Sequence, residues 1–526
     1  MLQDSVIPLA GTAVIGVIIS MFARSRGWGV SLPLVASGIV LSLLPIGPNG
    51  PEDPELILLM VLAPLVFGES LSTSFLDLKA VSRPVMALAI GLVVVSAFTV
   101  GVIASQVVAG LPFAAAVALG AILGPTDAVA VSAVAKQASL PRRLVHILEG
   151  ESLVNDGTAL TLLRVAVVAA AAGGVTVLQA GVTLGLAVVG GLAVGVLGGF
   201  ILVTVLRRSR DTVAANGLVL VAPFPLYLGA ETFEGSGILA VVVAGLMVAH
   251  ATATDTRYRG RLQVGSVWRQ LTFVLMSLAF LLVGVEIPDT LDELADSEIR
   301  ELLLLVPIVV VTLIVTRALF VLAMMGLRSA RGSRPWRDGG WKAWVVVAWA
   351  GARGPISGLA AFSLPLALDS GEPFPERNLL LAVTFCVVVI TLVLSPTLGP
   401  LARLLRLPPD DDEDLLRRVR LSLARASLDR LEELVADADR GGDPLPEPVV
   451  RQLRDNATFR LNRATRAVAD GTGTRSASTT QRLSRQMIRA EQEELVRMRD
   501  EEGLPDTLMR ELMTEIDVRA RALGIH

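Results

Sequence analysis

The chain has 526 residues, 53 % of them hydrophobic, with a formal net charge of −3 and a single cysteine, Cys386; its mean hydropathy is +0.64. A water-soluble chain of this length would divide into several domains and would not stay so apolar throughout. The charge gives no reason to expect a nucleic-acid partner, and one cysteine in an apolar run excludes a disulfide framework and acts as a small hydrophobe.

Apolar runs recur from residue 5 to about 405. Many exceed the roughly 20 residues that cross a hydrocarbon core about 30 Å thick. The expected class is an all-α polytopic membrane protein with thirteen spans, at 5–23, 29–48, 54–76, 84–109, 112–136, 143–170, 174–206, 213–230, 236–251, 266–287, 301–327, 342–368 and 378–405. The first run, "MLQDSVIPLAG", lacks the basic stretch of a signal peptide and is taken as span 1. Loops after odd-numbered spans are basic: Arg24 and Arg26, Lys79 and Arg83, Arg142 and Arg143, then arginine clusters after spans 7, 9, 11 and 13. Loops after even-numbered spans are neutral or acidic, apart from Arg377. By the positive-inside rule the N-terminus is outside and the C-terminus cytoplasmic. Three lysines stand against 43 arginines, a bias that points to a GC-rich bacterial genome and a plasma-membrane location.

Span 5 contains "ILGPTDAVAV" and span 12 contains "WAGARGPISGL". Gly124-Pro125 and Gly354-Pro355 interrupt these runs, because proline removes a backbone donor and glycine adds freedom. Spans 5 and 12 are seven apart and so cross in opposite directions, as an inverted repeat of spans 1–6 and 8–13 requires. An ordinary proline kink is the plainer reading of either break alone. Matched broken helices in two halves point to a transporter's substrate site. Thr126 and Asp127 follow the first break, where Asp127 either caps the resuming half-helix or serves as an ion ligand.

Span 6 reads "LEGESLVNDGTALTLL" and carries Glu149, Glu151, Asn155 and Asp156. Ionised groups at mid-membrane are costly and mark function. Ser152 and Asp156 are i, i+4 and share a face; Glu151 and Asn155 share the adjacent one. Counted from the cytoplasmic charges, Glu69, Thr126, Glu151, Asp156, Arg317 and Arg353 lie 8 to 13 residues deep. At about 1.5 Å per residue they occupy one slab near mid-membrane. Glu151 and Arg317 read as a structural ion pair, since a carboxylate held by arginine is a poor site for a second cation. Arg164, about 12 Å beyond Asp156, is expected to snorkel to the outer headgroups.

From residue 408 the chain turns polar: "PPDDDED", then four amphipathic stretches near 413–438, 446–470, 477–502 and 505–523. The first and third have the pattern of coiled coils. The expectation is a transmembrane domain over 1–407 and a cytoplasmic helical regulatory or dimer-contact domain over 408–526.

Together "EGESLVNDGTAL", "GPTDAVAV", "GSGILAVVVAGL", "LAFLLVG" and "WAGARGPISGLAAFSLP" resemble the bacterial NhaP-like sodium/proton antiporters, a monovalent cation:proton antiporter family related to animal sodium/hydrogen exchangers. The likeness runs from span 2 to span 13. It implies a homodimer whose 13 spans form a dimerisation domain and a mobile core domain. It implies that Asp156 binds a monovalent cation or a proton, helped by Ser152 and Thr126. Asn155 would mark the electroneutral branch, and Glu151 the buried glutamate that pairs with Arg317. Two departures stand out. The family's acidic slot in span 3 holds Gly68, with Glu69 one residue later and about 100° round the helix. In span 10 the family's Asn-Ser is Met276-Ser277.

The function expected is exchange of Na⁺ or Li⁺ for H⁺, one for one, by competition for Asp156 with elevator-type access. Protonated or cation-bound Asp156 is neutral and can move; empty and ionised, it resists entry into low dielectric. A K⁺/H⁺ exchanger on the same scaffold is the alternative. Membrane lipids are the other expected partners, and no cofactor is expected. An intramembrane enzyme is disfavoured, as His146 and His250 lie near cytoplasmic ends and no Ser/His pair or metal-ligand spacing converges. A channel is disfavoured by the absence of a filter-like repeat.

Overall fold

The computed structural model describes residues 2–44, 58–127, 140–171, 177–209, 211–253, 258–330, 340–368, 371–407, 412–441 and 445–470, with 486–494 and a few isolated positions beyond. The chain divides into two compact units, Met1–Pro409 and Asp410–His526. Both are helical, and no strand occurs among the described residues; the nearest to one is an isolated bridge between Ala367 and Pro373.

In the first unit the helices are α1 (Leu2–Ser25), α2 (Ser31–Ser42), α3 (Ala63–Ser72), α4 (Phe75–Ala80), α5 (Ser82–Met86), α6 (Val93–Val107), α7 (Phe113–Ile122), α8 (Arg142–Ala171) and α9 (Val177–Arg208). They continue as α10 (Thr212–Val221), α11 (Pro223–Thr232), α12 (Gly237–Ala253), α13 (Tyr258–Asp292), α14 (Asp296–Ala330), α15 (Gly340–Trp349), α16 (Pro355–Ala361), α17 (Arg377–Leu394) and α18 (Leu398–Leu405). A π-helical segment, Ala87–Leu92, joins α5 to α6 without a break. Seven helical stretches are long and apolar enough to cross a membrane: Ser82–Val107, Arg142–Ala171, Gly181–Arg208, Val213–Thr232, Gly265–Asp292, Asp296–Leu327 and Arg377–Leu405. Five shorter apolar helices accompany them. The chain is a membrane protein.

Local chemistry sets several boundaries. Asp211 caps α10, its Oδ1 accepting from the backbone N–H groups of Val213 and Ala214 at 2.8 and 3.2 Å. Helix is expected as far as residue 368, yet α16 stops at Ala361. Pro365 has no N–H and blocks continuation, and the chain turns through Leu368 N–H to Glu372 O instead.

Membrane helices gain little from hydrophobic burial against one another, so close backbone approach must hold them. Gly38 of α2 and Gly284 of α13 provide it. A Cβ on Gly38 would collide with the Leu281 carbonyl, and one on Gly284 with the Val35 carbonyl. Around this seam pack α1 and α3; α12 joins α3 to α9 and α11. The remaining helices, α5 to α8 and α14 to α18, pack mainly among themselves. The exceptions are α8, which also touches α3, α9 and α12, and α16 and α17, which both touch α13, α17 reaching α2 as well. The outward face of α9 is apolar, with Val189, Leu197 and Phe200 exposed, as contact with lipid tails permits.

In the second unit α19 (Asp412–Gly441) and α20 (Glu447–Asp470) pack together. Arg454 grips Glu432 with bonds of 2.7 and 2.9 Å. The first amphipathic stretch therefore pairs with its neighbour. The expected third and fourth stretches fall largely outside the described residues.

Candidate functional site

The site is built on α8, which runs for 30 residues without a proline or a kink. Its middle carries Glu151, Ser152, Asn155 and Asp156, each no more than 2 % exposed. Two interrupted segments lie across it. After α7 the chain leaves helical geometry and runs through Gly124, Pro125, Thr126 and Asp127. Between α15 and α16 it does so through Ala350 to Gly354. The two segments meet: the Asp127 backbone N–H donates to the Ala352 carbonyl at 2.9 Å. The contact is tight enough that a Cβ on Gly354 would stand 2.9 Å from Asp127 Cβ and Cγ. The residues following Asp127, where it and Thr126 would cap a resuming helix, lie outside the described residues.

A helix end leaves carbonyls without partners and carries partial negative charge. Both interrupted ends receive an arginine. Arg353 Nε donates to the Leu123 carbonyl at the end of α7, 2.9 Å away. Arg317 Nε, from α14, donates to the Val347 carbonyl in the last turn of α15, also at 2.9 Å. The other Arg317 nitrogens donate to both oxygens of Glu151, at 2.5 and 2.9 Å. The Arg353 backbone N–H donates to Thr391 Oγ1 on α17 at 3.1 Å.

Thr126 organises the centre. Its hydroxyl donates to Glu151 Oε1 at 3.3 Å and accepts from Asn155 Nδ2 at 3.1 Å. Its carbonyl accepts from the Ser152 hydroxyl at 2.6 Å. This order fixes the Asn155 amide, because flipping it would set oxygen against an oxygen whose proton is already given to Glu151. Asn155 therefore keeps Oδ1 for another partner. Among the described residues, Asn155 Oδ1, Asp156 Oδ2 and Glu69 Oε2 are buried and accept no hydrogen bond. Glu69 and Asp127 are the charges that act most strongly on Asp156. The structure thus gathers carboxylates around acceptor oxygens, three of which, Asn155 Oδ1, Asp156 Oδ2 and Glu69 Oε2, meet no donor among the described residues. Such a set is expensive unless a cation or a proton completes it.

The one-residue shift in span 3 resolves sterically. Gly68 faces α13, where a Cβ would meet Thr272 Oγ1 at 2.6 Å and the Trp268 ring at 3.0 Å. Glu69, with its Oε2 buried, lies within electrostatic reach of the carboxylates of Asp127 and Asp156. In span 10, Ser277 shares a 2.8 Å hydrogen bond with Ser20 of α1, and Met276 is buried in the apolar core. Arg164 does not reach for headgroups: it is half-buried and pairs with Glu231 of α11 at 2.8 Å. Glu231 is fixed there by the Gly237 backbone N–H, a donor at the start of α12 that no charge pattern announces. The pairing of arginines with the ends of α7 and α15 also left no sequence signal, since a carbonyl partner is the same whatever the residue. Ser357, buried on α16 with no hydrogen bond among the described residues, was equally silent.

Comparisons with known proteins show the family and the fold. The family model described as "Sodium/hydrogen exchanger, transmembrane" matches residues 10–403. An uncharacterized Na⁺/H⁺ exchanger of Mycobacterium tuberculosis is 33 % identical over 98 % of this chain and 94 % of its own length. A sodium, potassium, lithium and rubidium/H⁺ antiporter of Bacillus subtilis is 30 % identical over 93 % of this chain and 74 % of its own. Among solved structures, the sodium proton antiporter MjNhaP1 of Methanocaldococcus jannaschii at pH 8 superposes with a TM-score of 0.61. It is 18 % identical, over 77 % of this chain and 99 % of that one, and so is similar in fold.

Proposed function

The chain belongs to the sodium/hydrogen exchanger family, one of transporters rather than enzymes, and from that premise we propose that it exchanges Na⁺ or Li⁺ for H⁺, one for one, at Asp156. The observation that carries this reading is the set of buried acceptors without donors: Asp156 Oδ2, Asn155 Oδ1 and Glu69 Oε2. A monovalent cation completes them, and a proton on Asp156 removes the charge that calls for it. Ser152, one turn before Asp156 on α8, holds the Thr126 carbonyl beside the site, and Asp127 adds to the field. Glu151 is spent on Arg317 and serves structure.

The same reading takes the thirteen apolar stretches as thirteen spans in an inverted repeat, with spans 5 and 12 as the matched broken pair. The N-terminus is then outside and the C-terminal unit cytoplasmic. The group α5 to α8 with α14 to α18 is the moving core, and α1 to α3 with α9 to α13 is the dimerisation part of a homodimer. Empty, ionised Asp156 would oppose movement of that core, because a bare charge enters low dielectric. Competition for one carboxylate then makes exchange obligatory. A second reading, K⁺/H⁺ exchange, is favoured by the printed name of the Bacillus subtilis relative, which includes potassium and rubidium. The deciding experiment is proton efflux from acid-loaded proteoliposomes on addition of Na⁺, Li⁺ or K⁺, with Asp156→Asn alongside. Efflux with Na⁺ or Li⁺ that the variant lacks supports the first reading. Efflux with K⁺ alone supports the second. No efflux with any cation from correctly inserted protein refutes both.

A further inference from the structure

Arg353 is 4 % exposed and forms no ion pair among the described residues. Its Nε is given to the Leu123 carbonyl and Nη1 to the Gly351 carbonyl, and Nη2 has no acceptor among the described residues. The charges acting on it are Arg317, which repels it, and Glu151, whose two oxygens Arg317 already engages. Carbonyl dipoles alone are a weak answer to a buried guanidinium, and an uncompensated buried charge is costly.

Beside it lies a cavity of about 40 Å³, walled by Arg317, Arg353, Trp349, Leu313, Thr391 and Ser395 among others. That volume holds a few water-sized particles. No carboxylate lines it. Thr391 donates its hydroxyl proton to the Val388 carbonyl, whereas the Ser395 hydroxyl has no hydrogen bond among the described residues and is open to a ligand. The wall is therefore made of one uncompensated cation, Arg353, a second, Arg317, already neutralised by Glu151, one available hydroxyl and apolar side chains. That chemistry suits a small monovalent anion, being too positive for a metal ion.

We propose that this cavity, between α14, the Ala350–Gly354 segment and the end of α17, binds one anion of the halide class on Arg353 Nη2, with the Ser395 hydroxyl as second donor. The anion is a resident partner and not cargo: it neutralises the arginine that ties the end of α7 to the Ala350–Gly354 segment. Neither Asp156 nor Glu69 lines it, and it does not depend on which cation is exchanged.

Binding of radiolabelled chloride to the purified full-length chain tests this directly, without transport. Saturable binding of one chloride per chain, displaced by bromide and lost in Arg353→Gln and Arg353→Lys, is the expected result. No saturable binding to the wild type, or equal binding by a well-folded Arg353→Gln, overturns the proposal and leaves the cavity to water. Iodide quenching of Trp349 keeps the test decisive if the arginine variants do not fold. The difference in quenching between wild type and Trp349→Phe should saturate with iodide and be reversed by chloride. A difference that only rises linearly and ignores chloride overturns the proposal.

Discussion

Arg317 holds Glu151 through two parallel N–H···O bonds, and both side chains are 2 % exposed. Paired charges so deep are mutually dependent. Removing either partner alone leaves the other uncompensated, at a cost of about 3–5 kcal/mol. Glu151→Gln and Arg317→Leu should each lower the thermal midpoint of the purified protein. The double variant should recover part of the loss. Additive losses, measured by tryptophan fluorescence on heating, would remove the pair as a structural unit.

Competition for one carboxylate has a kinetic signature. As pH falls, protons occupy Asp156 and the apparent KM for Na⁺ should rise, by up to roughly tenfold per pH unit. The maximal rate at saturating Na⁺ should hold. Initial rates over a matrix of pH and Na⁺ decide it: a falling maximal rate at constant KM means the two ions do not share a site.

On the proposed reading, one carboxylate with a neutral Asn155 beside it carries one charge in each direction. Exchange should then be indifferent to membrane potential. Rates in vesicles clamped at opposite potentials with a potassium ionophore should coincide. A steady dependence on potential would show that unequal charge crosses in the two half-cycles.

Gly354→Ala places a methyl against Asp127 Cβ and Cγ, atoms with no freedom to retreat because the Asp127 backbone is bonded to Ala352. Exchange should fall severely in this variant. Gly217→Ala on α10 meets nothing within 4 Å and should transport normally. A helical Gly→Ala at an open position is neutral or slightly stabilising. Equal activity of the two variants would mean that the crossing of the two segments is not needed for transport.

The Arg454–Glu432 pair of the second unit offers a pH test. Glu432 has its pKa lowered, chiefly by its hydrogen bond from Arg454. A depressed carboxyl adds stability that is present above its unfolded pKa and lost as pH falls through the lower folded value. Protection of the α19 and α20 amides, corrected for the intrinsic exchange rate at each pH, should therefore fall on acidification below the ordinary glutamate value of 4.5, and Arg454→Ala should abolish that response. Exchange rates unchanged by the substitution would mean the pair does not stabilise the helices.

How much of this was legible beforehand follows from what kind of partner each residue takes. The run of α8, Arg142–Ala171, lies within a residue of the stretch 143–170 read from hydropathy, since polar residues on two adjacent faces leave the period intact. That Glu151 and Arg317 would meet was readable from depth and opposite charge. Arg164 misled, because an arginine near a helix end has two outlets, headgroup or carboxylate, and Glu231 lies on a helix 67 residues away. Glu69 misled in the other direction. One residue of displacement suggested a different face, and what the sequence could not show is that Thr272 and Trp268 leave no room for a side chain at position 68. The arginine-to-carbonyl bonds at Leu123 and Val347 were invisible, as backbone acceptors carry no residue signature.

The direction of the hydrogen bonds around Thr126 has a further result. Asn155 gives an amide hydrogen to Thr126, Thr126 gives its only proton to Glu151, and Arg317 occupies both Glu151 oxygens. An amide is no proton relay, and the receiving carboxylate is already engaged. A proton that settles on Asp156 has no route out through this side of the helix. The network that shapes the site thus insulates this one side of it: a proton taken up by Asp156 is not relayed through Thr126 to Glu151 and is handed over only where the site itself opens.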